Sequence, residues 1–138
     1  MEKPVSIFWT YPNTYNKFLA TKPEIVYQKG IYQITSKYKN KDILLYIGET
    51  NTTFLSRLIE HLSWINNYKG IKYVRFGKLF LPKNANNFRV DVQNALIFET
   101  QPIQNIKATQ TYTPLQDYTI FSCGNRGSIP ALVQTALH

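Results

Sequence analysis

The sequence predicts an α+β fold with a ββαβα core, in which a small central antiparallel sheet is flanked by helices. Three observations carry this. Two runs rich in β-branched and aromatic residues, "GIYQIT" at 30–35 and "ILLYIGE" at 43–49, stand either side of the polar stretch "SKYKNKD", which has hairpin-loop composition. The apolar period then changes from two to that of a helix, with Leu55, Leu58, Leu62 and Ile65 at i, i+3, i+7 and i+10. A third strand-like run, "IKYVRFGKLF", and a second helical stretch, "NNFRVDVQNALIFET", repeat the alternation before Pro102, which ends the helix.

Taken in order, residues 1–28 read as an edge-packed extension punctuated by Pro4, Pro12 and Pro23, with a short helix at 13–20. A hairpin loop centred near Lys39 sets Tyr32, seven residues before it, opposite Tyr46, seven after it, on one face of the sheet. "TNTT" at 50–53 supplies cap residues for the first core helix, expected over 51–65. Arg57 and His61 lie off its leucine stripe and differ by about 40° around the axis, so they can address one point. Toward the C-terminus, "DYTIFS" reads as a strand, "CGNRG" as a turn and "SIPALVQTAL" as a last helix with Ser128 near its cap. The whole is expected to be one domain, 1–138, with a core at about 29–105 and extensions at 1–28 and 106–138.

Composition narrows the function. With 43% hydrophobic and 14% aromatic residues, 138 residues suffice for a single core. The 16 Lys and Arg against 8 Asp and Glu leave +8, which favours a polyanionic partner, with nucleic acid first among them. Lys37, Lys39 and Lys41 alternate in the hairpin loop, where they are candidates to meet backbone phosphate together; a solvated tip is the alternative. Cys123 is the single cysteine, which excludes an intrachain disulfide or a thiolate zinc cluster and makes the cytoplasm the expected compartment. No run approaches the ~18 apolar residues of a membrane span, and the first twenty lack the apolar centre of a secretory signal.

"GIY" at Gly30, Ile31 and Tyr32, followed by "YIG" at Tyr46, Ile47 and Gly48, resembles the GIY-YIG nuclease family. The likeness extends to Arg57 and His61 in "RLIEH" and to "ALIFETQPIQN", which carries Pro102 and Asn105, so it covers 29–105 in the family's order. It implies an endonuclease that hydrolyses phosphodiester bonds with Mg²⁺ or Mn²⁺, acting most naturally on double-stranded DNA. Such a reaction needs a positioned, deprotonated water, charge compensation in the transition state and stabilisation of the leaving oxygen. By this resemblance Tyr32 is the base or base relay, its phenol acidified by cationic neighbours, and Tyr46 orients water or phosphate. Arg57 grips the phosphate through its planar fork. His61 hydrogen-bonds a tyrosine or shuttles a proton near neutral pH, and Asn105 ties the last turn to the site. Gly30 and Gly48 have a conformational reading as strand-end residues. Specificity is expected from the extensions, the surface loops or formation of a homodimer.

At the position where the resemblance places a metal-binding glutamate, three residues before the "Leu-Ile" pair at 96–97, the chain has Gln93. Asp91 lies about 200° and Glu99 about 240° away around the helix, so neither shares its face. An amide keeps an oxygen and loses the charge, which weakens its hold on a hard cation. Three readings follow: an inactivated nuclease, a non-cutting DNA-binding or interaction module with a degenerate site, or a shifted helix register with Glu99 as the ligand.

Overall fold

The computed structural model describes residues 3–80, 88–105 and 118–134. Its architecture is α+β. One seven-stranded sheet carries a long helix on one face and two short helices on the other. The core strands fall close to where the sequence puts them: β3 spans Gly30–Tyr38, β4 Lys41–Thr50 and β5 Ile71–Phe80. Strand order is β4-β3-β5-β1-β6-β7, with the short β2 (Asn13–Thr14) also paired to β5.

The sheet is larger and more mixed than expected, because both extensions join it. Lys3–Trp9 forms β1, antiparallel to β5 and parallel to β6, which spans Tyr118–Gly124. It is an interior strand, where the sequence suggested edge packing. Val5, Ile7 and Trp9 are fully buried on one face while Pro4 and Phe8 point outward, a strand period that the prolines obscure. The C-terminal helix expected at 128–137 is not formed over its described part. Leu132–Gln134 is instead β7, pairing with β6 through Ile120 and Val133. An open backbone edge on β6 outweighs the weak helical pattern of so short a segment. Asn86 and Asn87 of the second core helix, and 106–117 and 135–138 of the C-terminal extension, lie outside the described residues.

The hairpin is tighter than read. A two-residue turn at Lys39 and Asn40, both at positive φ, joins β3 to β4, the backbone twist that matches paired strands. A bulge beside Ile34 shifts the register, so Tyr32 pairs with Gly48 and Ile34 with Tyr46. The expected Tyr32–Tyr46 pair is therefore replaced by a diagonal one. The bulge also turns both Leu45 and Tyr46 onto the face that carries the short helices.

That face holds α1 (Tyr15–Thr21), near the expected 13–20, and α2 (Phe54–Glu60). Thr14 and Thr53 cap them, accepting from the amides of Lys17 and Ser56. Beyond Glu60 the chain tightens into 3₁₀ turns at His61–Ser63 and Ile65–Asn67. This shortens the helix expected over 51–65 and changes its buried stripe to Phe54, Leu58, His61 and Ile65, leaving Leu62 exposed. On the opposite face α3 (Phe88–Thr100) packs Val92, Ala95, Leu96 and Ile97 against Ile31, Leu44 and Ile47. After Pro102 the chain runs along the outer edge of β4, where the Gln104 amide donates to the Leu45 carbonyl (2.8 Å). The edge strand is thereby covered.

Candidate functional site

A cavity of about 370 Å³ opens at the edge of β4, lined by Tyr32, Tyr46, Glu49, Arg57, Gln93, Asn94, Ile97, Gln104 and Asn105. Both layers contribute because β4 is an edge strand. Tyr32, Tyr46 and Arg57 reach it from the α2 side, while Gln93, Asn94 and Ile97 reach it from α3. Five of the six residues expected in the site converge here. The sixth, His61, stands directly behind Tyr32.

Close packing sets the tyrosines. Their ring centroids are 6.0 Å apart, and Tyr32 is buried to 1% exposure against Phe54 and His61. Gly48 is what lets it lie there. A Cβ at that position would come within 2.4 Å of the Tyr32 Cζ and Oη and 2.7 Å of a Tyr46 ring carbon. The need is for space, not for a special backbone angle. Gly30 needs both, with φ of +149° and a would-be Cβ 2.9 Å from the Gly77 carbonyl oxygen.

The Tyr32 hydroxyl lies 2.7 Å from His61 Nε2, and Trp64 Nε1 donates to His61 Nδ1 at 3.2 Å. Burial lowers the His61 pKa to about 4, so the ring is neutral near pH 7 and is not charged to shuttle a proton there. Burial also raises the Tyr32 phenol far above its usual range, Tyr46 adds to that, and Arg57 only partly opposes it. Tyr32 is thus not acidified, contrary to expectation. Tyr46 is raised too, first by burial, with Arg57 acting the other way.

Arg57 stands at the rim with its side chain 40% exposed and donates to Glu60 at 3.0 Å, an exposed pair of small energetic weight that a phosphate can displace. Asn105 has a positional role. Its Oδ1 accepts from the Ile47 amide at 2.8 Å and its Nδ2 donates to the Ile47 carbonyl at 2.9 Å. Both outward-facing groups of that edge residue are satisfied by one side chain. Gln93 Nε2 approaches the same carbonyl at 3.4 Å.

Of the carboxylates weighed for the metal, neither Asp91 nor Glu99 lines this cavity. Asp91 is buried within the protein, and Glu99 lines a separate depression with Asp42 and Ile43. The carboxylate that does line it is Glu49, half-buried, 3.5 Å from Arg89 Nε. Sequence reasoning missed Glu49, although it directly follows the YIG tripeptide. Trp64 was missed as well, three residues beyond His61. Among the described residues, no three His, Cys, Asp or Glu side chains gather as a metal-binding group. Mg²⁺ commonly takes only one or two carboxylates and completes its shell with water and substrate phosphate. Glu49 with the amide oxygens of Gln93 and Asn94 fits that sparse donor set.

Lys37, Lys39 and Lys41 are exposed at the hairpin turn, five to seven residues and about 16–23 Å along the strand from Tyr32. Strand alternation and the Lys37–Asp42 and Tyr38–Lys41 pairs put Lys37 and Lys41 on opposite faces of the hairpin. They do not present one common surface. No helix among the described residues is long and apolar enough to cross a membrane. Comparison with known proteins finds no matching family model, no matching curated protein and no matching solved structure.

Proposed function

We propose that this chain is a phosphodiesterase of GIY-YIG type that hydrolyses nucleic-acid strands, with double-stranded DNA as the substrate class. The observation that carries the reading is convergence. Tyr32, Tyr46, Arg57, Gln93 and Asn105 come from β3, β4, α2, α3 and the segment after Pro102, yet they line one cavity. Packing alone does not call for a polar cavity assembled from those particular residues. The +8 net charge supports a polyanionic substrate.

In this reading the Arg57 guanidinium leaves Glu60 to bind a non-bridging phosphate oxygen through its fork of donors. The tyrosine pair holds the attacking water, and Asn105 fixes the backbone of β4 so that the pair keeps its place. Glu49, with the Gln93 amide oxygen, would hold Mg²⁺ or Mn²⁺, which when bound supplies positive charge at the leaving oxygen.

One observation favours a second reading, a module that binds nucleic acid without cutting it. Gln93 stands in the cavity as a neutral amide, which leaves Glu49 as the one carboxylate lining it among the described residues. Plasmid nicking with Mg²⁺ or Mn²⁺, by this chain beside its Gln93→Glu and Arg57→Ala variants, separates the two. Nicking that rises with Gln93→Glu and falls by orders of magnitude with Arg57→Ala supports the enzyme. Salt-sensitive duplex binding without nicking by any of the three supports the module. The nucleic-acid reading itself fails if the chain binds no duplex at low salt.

A further inference from the structure

The buried hydrogen bonds behind the cavity have a direction, and one residue outside the expected site sets it. An indole N–H only donates. Trp64 Nε1 lies 3.2 Å from His61 Nδ1, so Nδ1 must offer a lone pair. An imidazolium would oppose two donors there, and a neutral ring must then carry its proton on Nε2. Nε2 is the atom 2.7 Å from the Tyr32 oxygen. His61 therefore donates to the Tyr32 oxygen, and the Tyr32 proton turns away from His61.

We infer that Trp64 is a positioning residue that locks His61 as the Nε2–H tautomer, so donation runs from Trp64 through His61 to the Tyr32 oxygen. With the Tyr32 oxygen turned to His61, Tyr46 is the member of the pair more open to water in the cavity. Exposure agrees, since Tyr32 is 1% exposed and Tyr46 half-buried at the cavity wall. Arg57 favours an anionic Tyr46 oxygen, against burial and the charges of Glu60 and Glu49. Tyr32 instead receives its bond from a neutral ring and lies deeper. The ring contacts of Trp64 with Tyr46 (5.6 Å), His61 (5.2 Å) and Tyr68 (5.9 Å) hold the indole in the orientation the bond needs.

The chemical use of Tyr46 rests on the hydrolytic reading above; the proton arrangement does not, and it is measured without substrate. Long-range ¹H–¹⁵N correlation on the whole labelled chain reports the tautomer directly. The two histidines, His61 and His138, are told apart by replacing His138. At neutral pH His61 is expected to give an unprotonated Nδ1 and a protonated Nε2, and to keep them in Tyr32→Phe, because Trp64 alone dictates the choice. Trp64→Phe, which retains a ring in place of the indole, should move Nδ1 toward the protonated position. As pH rises, ¹³Cζ-labelled tyrosine should record Tyr46 ionising before Tyr32. A protonated Nδ1 in the parent, a Trp64→Phe spectrum unchanged at His61, or Tyr32 ionising first would each overturn the inference, whether or not the chain cuts nucleic acid.

Discussion

Tyr32 pairs across the hairpin with Gly48, and its phenol ring occupies the space that any side chain at 48 would fill. A Cβ only 2.4 Å from that ring forces the ring or the strand to move. Gly48→Ala should therefore cost about 1–3 kcal/mol, the usual penalty for overpacking a filled core. Urea denaturation checks it. In a Tyr32→Ala background the ring is gone, and the same substitution should cost at least about 1 kcal/mol less. Equal costs in the two backgrounds would show that Gly48 is needed for its backbone and not for the tyrosine.

Asn105 makes a comparable prediction for the far wall. Removing its amide with Asn105→Ala leaves the Ile47 N–H and C=O without the partners they have at 2.8 and 2.9 Å. A loss of about 1–3 kcal/mol is expected for a half-buried pair. Hydrogen exchange at the Ile47 amide should accelerate while that of Val74, on interior β5, changes far less. Asn105→Asp should be no better than alanine, because it turns a donor into a charge facing the Ile47 carbonyl.

What could be read from sequence here divides along physical lines. The hairpin, β5 and α3 carry local patterns that spacing reads, and the family resemblance is what picks out the site residues on the hairpin and α3. The expected Tyr32–Tyr46 register is off by two residues, one because the turn is centred between Lys39 and Asn40 and one because a bulge beside Ile34 inserts a residue, and nothing in "ITSKYKNKDILLY" marks the bulge. β1 was hidden because Pro4 looks like punctuation, while Val5, Ile7 and Trp9 are buried only once β6, over a hundred residues later, lies beside them. β7 was read as a helix because its strand character comes from the open edge of β6. Glu49 and Trp64 escaped for a related reason. Neither has a distinctive spacing: Glu49 acquires its place when α3 meets β4 at the cavity, and Trp64 when the turns after α2 pack on Tyr46.

Acid should unfold this protein partly through His61. Its folded pKa of about 4 is depressed from an unfolded value near 6.5 by burial, so the native state prefers the neutral ring. The unfolded chain binds the extra proton first as pH falls. Stability from this residue is thus fully present above about pH 6.5 and is lost between about 6.5 and 4. Denaturation midpoints taken across that window should fall more steeply for the parent than for His61→Gln, by at most one proton. Parallel curves would mean that His61 is not held neutral.

The last prediction concerns which oxygen holds a cation. Glu49 and Gln93 both line the cavity, whereas Glu99 belongs to a separate depression beside Asp42. A hard divalent ion selects the charged oxygen over the neutral amide. Mn²⁺ binding followed by electron paramagnetic resonance, with inorganic phosphate present, should therefore weaken by about tenfold or more in Glu49→Gln, equivalent to about 1.4 kcal/mol. Gln93→Glu should strengthen it, since a second carboxylate then faces the same space. Arg89→Ala should act in the same direction by removing the cation now 3.5 Å from the Glu49 oxygen. Glu99→Gln should leave binding unchanged. If Glu49→Gln is silent while Glu99→Gln abolishes binding, the metal belongs at the other depression and the donor set assigned here is wrong.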